Sequence, residues 1–113
     1  MALTFQRLFA PTVLGTTETT LYTCPATPTS NVIKNGRVRF TNTSGVAVTV
    51  TAHAVPAAGA AAAGNCFLNA ESIAANSHLD VDFPSLAAGD VLSALASAAT
   101  SITASEIGGV LFS

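Results

Sequence analysis

His78, Asp80 and Asp82 stand at alternate positions, the densest grouping of titratable side chains in the chain. A β-strand sets every second side chain on one face, about 6.8 Å apart. The row therefore offers two carboxylates to a hard cation such as Ca2+, or one carboxylate to fix a histidine tautomer. The same spacing has a plainer source. Leu79, Val81 and Phe83 alternate with these residues, and a strand with an apolar inner face carries polar residues outside. Calcium also asks for about six or more oxygens. The three are expected to form a solvated or subunit-rim face without a metal.

Wider groupings fare no better. Joining His53 and Glu71 to His78 resembles a cupin-type metal set, but that set needs two histidines two residues apart followed closely by a glutamate, and His53 and His78 are distant in sequence. His53 is expected to be an ordinary surface or interface histidine. Cys24 and Cys66 lack the CxxC or histidine spacing of a metal or redox site, and both read as small buried hydrophobes rather than a disulfide pair. No Gly-x-Ser-x-Gly elbow, phosphate loop or dinucleotide fingerprint occurs, and Ser44-Gly45 and Gly108-Gly109 read as turn or bulge glycines. The threonine runs at residues 16–20 and at Thr49 and Thr51 suggest an ice- or glycan-binding surface. Threonine is also a good strand residue, and Tyr22 is the single tyrosine in a chain without tryptophan. No catalytic residue, cofactor or metal ligand is assigned, and the chain is not expected to be an enzyme.

The elements that would position these residues are strands. Apolar alternation of period two recurs along the chain, without a convincing helical stripe. The clearest strand covers residues 46–55, with Val46, Val48, Val50, Ala52 and Ala54 on one face and Thr49, Thr51 and His53 on the other. In residues 31–41, Val38 and Phe40 oppose Arg37, Arg39 and Thr41. Asn42-Thr43-Ser44-Gly45 between these runs has the chemistry of a four-residue hairpin loop. Asn35-Gly36 suits either a type I′ hairpin or a bulge. The bulge is preferred, because too few residues follow Asn31 to build a hairpin arm.

Further strands are expected at residues 3–9, 18–24, 65–73, 77–83, 91–97 and 107–112. The connectors are the prolines 25 and 28, the turn 74–76, the segment 84–89 with its Gly89-Asp90 turn, and an Ala/Ser/Thr-rich stretch at 98–105. Residues 56–65 are low-complexity alanine and glycine, too short between glycines for an isolated helix, and read as a mobile loop or an arm ordered by a neighbour. The fold class is all-β: a single-domain, jelly-roll-like sandwich of about eight antiparallel strands.

Composition narrows the partners. The chain has 113 residues, 50% hydrophobic but 9% charged, with a formal net charge of -2. That is one domain by length. Without a basic footprint, no nucleic-acid partner is expected. The longest uncharged stretch, residues 40–70, holds asparagines, a histidine and a proline and is no bilayer span. The N-terminal residues lack a basic segment followed by an apolar run, so no signal peptide is expected. A surface this short of charge is more comfortable when neighbours cover it. An oligomer or a piece of an assembly is expected. Residues 91–105 carry no charge and are the candidate interface, the alternative being a central strand covered on both faces by its own sandwich.

Several segments together resemble small β-sandwich structural proteins of tailed bacteriophages. Leu21-Tyr22-Thr23-Cys24-Pro25 is similar to their Leu-Tyr-x-x-Pro segment, and residues 38–43 followed by Val48-Thr49-Val50 to their hairpin with an Asn-Thr turn. Ser72-Ile73-Ala74-Ala75-Asn76 and Leu86-Ala87-Ala88-Gly89-Asp90 are similar to two later turns. Cys24 and the alanine loop depart from the pattern. The resemblance implies a virion protein assembled in the host cytoplasm: a head decoration (cement) protein that stabilises the capsid by binding the major capsid protein or other virion proteins, most simply as a homotrimer. The alternative it implies is a neck, tail or fibre accessory protein, or a receptor- or glycan-binding module.

Overall fold

The computed structural model describes residues 3–4 and 7–112. Ten strands form two antiparallel sheets: β1 (Leu3–Thr4), β2 (Thr12–Val13), β3 (Thr19–Thr23), β4 (Val32–Asn42), β5 (Val48–Val55), β6 (Cys66–Ile73), β7 (His78–Asp82), β8 (Leu86–Ala87), β9 (Val91–Ala96) and β10 (Ile102–Phe112). The first sheet runs β1-β10-β4-β7, with β2 also on β10 and β8 also on β4; the second runs β3-β9-β5-β6. No α-helix occurs among the described residues. From β2 onward the chain mostly alternates between sheets, the connectivity of a jelly roll, and β5–β6 is the sequential pair that forms a hairpin within one sheet.

Alternation builds the core. Val38 and Phe40 of β4, Val48, Val50 and Ala52 of β5, Leu92, Ala94 and Ala96 of β9, and Ile102 and Ala104 of β10 are all buried between the sheets. Small residues sit beside large ones across the ladders, Ala104 opposite Phe40 and Ala96 opposite Val50, which lets two layers interdigitate without voids. Residues 91–105 are therefore largely central strand: β9 lies inside the second sheet and β10 inside the first, with Val91, Ser93 and Leu95 on the outer row of β9, Ser93 itself covered at 3% exposed, and Thr103 and Ser105 on that of β10. The strand expected at 107–112 begins five residues earlier, at Ile102, because Ile102 and Ala104 alternate into the core as regularly as any strand residue. The strand expected over 3–9 is described only at β1. Residues 5 and 6 lie outside the described residues, while Leu8 and Phe9 are buried in a bend.

Asn35-Gly36 is a bulge inside β4. Arg37 pairs with Gly108 and Lys34 with Val110, so two residues of β4 oppose Gly109 alone. Asn35 takes up the left-handed conformation, with φ 57, which asparagine tolerates better than most residues. Gly36 has no alternative: a Cβ there would lie 2.1 Å from the ring of Phe83.

Asn42-Thr43-Ser44-Gly45 is not a hairpin loop. β4 and β5 belong to different sheets, and the segment is a corner between them. Asn42 is fully buried at that corner. Its amide donates to Val46 O at 2.8 Å and Ile73 O at 3.0 Å, and its Oδ1 accepts from Ser44 N–H at 2.9 Å and Ser44 Oγ at 2.7 Å. Val46, expected in the strand, is 65% exposed on the corner.

Candidate functional site

The His78-Asp80-Asp82 row lies on the outer face of the first sheet, with Leu79, Val81 and Phe83 directed inward. Antiparallel pairing sets Arg37 opposite Asp82, Arg39 opposite Asp80 and Thr41 opposite His78. Arg39 holds Asp80 with two bonds, Nε to Oδ1 at 2.7 Å and Nη2 to Oδ2 at 3.0 Å, and Arg37 Nε meets Asp82 Oδ1 at 2.7 Å. The hydrogen bond from Arg39 holds the Asp80 carboxyl below its ordinary range, and the same bond raises Arg39. Both carboxylates already have cationic partners, so the row is a cross-strand charge ladder. The signal for it lay in the sequence: Arg37-x-Arg39 has the same two-residue period and the opposite sign.

The outer face of the second sheet holds the polar groups that the sequence did not bring together. His53 is 9% exposed, so of the expected surface or interface placement the surface one does not hold. Glu18, just before β3, covers it, with Oε1 2.5 Å from Nδ1. Across the ladders His53 lies between Ser93 of β9 and Cys66 of β6. A pocket of about 380 Å3 opens there, lined by Thr51, His53, Ala63, Cys66 and Asn69. An imidazole close to a carboxylate and a thiol has the parts of a nucleophile pair, but among the described residues His53 Nδ1 makes no hydrogen bond and the Cys66 thiol donates to Leu68 O at 3.2 Å. A second pocket of about 310 Å3 lies beneath the alanine loop, lined in part by Glu18, Val55, Ala60, Val91 and Ser93.

The remaining candidates are dispersed. Glu71 is exposed on β6, opposite Val50, so His53 and Glu71 sit on the second sheet while His78 sits on the first. Among the described residues no group of three or more His, Cys, Asp and Glu side chains could hold a metal ion. Cys24 is fully buried and Cys66 half-buried, and both are free. Burial raises the Cys24 thiol, with a smaller push from Asp90. Cys66 is thus not the buried hydrophobe expected of it, because β6 is an edge strand. The Tyr22 ring packs 6.4 Å from that of Phe9.

Charge is sorted by layer. Of the 4 Lys and Arg residues, Lys34, Arg37 and Arg39 lie on β4, in the first sheet. Among the described residues, the segments 14–17, 43–47, 74–77 and 97–101 at one end of the sandwich are uncharged. They are tied together by Thr43 N–H to Ser101 O at 3.0 Å, Asn76 N–H to Ser44 O at 3.2 Å and Thr100 N–H to Leu14 O at 3.3 Å. Among the described residues no helix is long and apolar enough to cross a membrane. Comparison with known protein families, with curated proteins and with solved structures finds no match to the chain.

Proposed function

We propose that the chain is a non-enzymatic structural protein of a tailed-bacteriophage virion, assembled in the host cytoplasm, and that it serves as a head decoration protein. In this reading it acts as a homotrimer that stabilises the shell through contacts with the major capsid protein. The observation that carries the reading is the distribution of charge. The arginines and aspartates of the first sheet neutralise one another, and the described segments at the corner end of the sandwich carry no charge. Such surfaces suit shape-and-backbone contact with protein, whose desolvation is cheap when no ion is stripped of water. The short segments that resemble phage sandwich proteins support the choice of a virion as the assembly.

The polar pocket at Thr51, His53 and Asn69 favours a second reading, a neck, tail or fibre accessory or a glycan-binding module, since hydroxyl, imidazole and amide groups can hydrogen-bond a sugar. Copy number separates the two. Purified virions resolved on a stained gel are expected to carry the protein in many copies, and the isolated protein to bind empty heads. A scarce protein that ignores heads and binds cells or glycans overturns the decoration role.

A further inference from the structure

β7 ends the first sheet on the side away from β10, and its free edge leaves hydrogen-bonding capacity open. On its inner side, Asn42 N–H donates to Ser77 O at 2.8 Å and Phe83 N–H to Gly36 O at 3.0 Å. Bonded and non-bonded pairs alternate in an antiparallel ladder. Ser77, Leu79, Val81 and Phe83 therefore direct their backbone groups at β4, and the N–H and C=O of His78, Asp80 and Asp82 point to the open side. Among the described residues none of these groups has a hydrogen-bond partner.

The edges of the second sheet are irregular, a common defence against strand addition. β3 has a register shift between Thr20 and Tyr22, and β6 has two shifts, with Ala70 at φ 48. β7 pairs without a bulge and contains neither proline nor lysine. Its two aspartates are paired with Arg39 and Arg37, which weakens, without removing, the repulsion they present to an incoming strand.

We propose that β7 pairs antiparallel with β7 of a second copy across a twofold axis at Leu79, so that the first sheet runs on from one sandwich into the next. Edge-facing residues must meet edge-facing residues, so the axis passes at one residue position. An axis at Asp80 sets Asp80 against its own copy, and one at Val81 sets Asp80 against Asp82; like charges directly opposite are destabilising. An axis at Leu79 sets His78 against Asp80 twice, Leu79 against Leu79 and Val81 against Ser77. Each His78–Asp80 pair then exchanges two backbone hydrogen bonds. The contact is self-complementary, as a twofold interface requires. It rests on the reading of the chain as an assembling structural protein, and it uses a different strand from a threefold contact through the outer face of β9.

The test uses the full chain carrying Cys66→Ser, with Cys24 left in the core. The central non-bonded pair brings its Cα atoms to about 4.5 Å, within disulfide range. Leu79→Cys is expected to form disulfide-linked dimers in a glutathione redox buffer. Val46→Cys, exposed on the corner between the sheets, is expected to stay unlinked. His78→Pro removes one edge-facing N–H and leaves the β4 ladder and both Arg–Asp pairs in place. It is expected to melt near the parent and to weaken self-association about tenfold by sedimentation. If Leu79→Cys links no faster than Val46→Cys, or if His78→Pro associates as the parent does, while the parent still assembles, the β7 contact is wrong and the structural reading stands. A parent that is monomeric at tens of micromolar, with no variant linking, overturns both.

Discussion

A methyl group at position 36 has nowhere to go. The Cβ of an alanine would sit 2.1 Å from two ring atoms of Phe83, a side chain itself 6% exposed. Gly36→Ala is expected to cost roughly 1–3 kcal/mol by overpacking, read as a lower melting temperature. Asn35→Gly, at a φ of 57, is expected to melt close to the parent; equal melting of all three proteins would show that Phe83 does not fill that space. Titration makes a second prediction. The Asp80 carboxyl is held below its ordinary range by Arg39. Its contribution is therefore complete above the unfolded carboxylate range and disappears as pH falls through the depressed folded value. Cys24 and Tyr22 are raised, chiefly by burial, so their contribution is complete below the unfolded thiol and phenol ranges and disappears as pH rises through the raised folded values. Denaturant unfolding across pH is expected to show a shallower acid limb in Asp80→Asn and a shallower alkaline limb in Cys24→Ala. Limbs that superimpose on the parent's would remove those two residues from the pH dependence.

Among the elements, the hairpin β5–β6 differs from its neighbours in being joined by the alanine loop. Residues 56–64 are all exposed; within the loop Asn65 Oδ1 accepts from Ala62 N–H at 3.0 Å and Asn65 Nδ2 donates to Ala60 O at 3.0 Å, and one bond leaves it, from Ala57 N–H to Asp90 Oδ1 at 3.1 Å. Replacing residues 57–64 by Gly-Ser removes little buried area, and loop-closure entropy changes slowly with length. The expected loss is about 1 kcal/mol or less in melting, together with loss of particle binding; a large fall in melting with binding intact would place the loop in the core. Strands were legible in the sequence where alternation is strict, as in β4 and β7, and the bulge at Asn35-Gly36 was legible from turn chemistry. The corner at Asn42 was not. Asx and glycine chemistry is the same in a hairpin and in a sheet-to-sheet corner, and the choice is made by β10, which takes the place beside β4 that β5 would have filled. Nor did the period reveal the burial of His53, because Glu18, which covers it, lies on a different segment. The candidate site on the second sheet was hidden for this reason: its parts come from β5, β6 and the approach to β3.

Over the whole molecule, the two rows of β9 have opposite fates. Ala96 is 1% exposed and opposite Val50 inside the sandwich, whereas Leu95 faces outward and is half-buried, opposite Thr51. Ala96→Asp places an unpaired carboxylate in the core at a cost of several kcal/mol and is expected to unfold the chain by circular dichroism. Leu95→Asp is expected to keep the fold and to abolish the proposed threefold contact by light scattering, leaving at most the β7-paired dimer. A trimer that survives Leu95→Asp would mean that the outer face of the second sheet is not the threefold contact. The jelly-roll connectivity also governs how the chain reaches this state. β10 lies between β1 and β4, and β9 between β3 and β5, so the middle of each sheet is made of the strands synthesised last. A growing chain can form the β5–β6 hairpin, yet it holds β4 without its longest partner until Phe112 has left the ribosome. Loops that long must close before their contacts stabilise anything, which places folding in the slow range of milliseconds to seconds. Until then β4 exposes an open edge of eleven residues, the interval in which the protein is most open to pairing with the wrong chain.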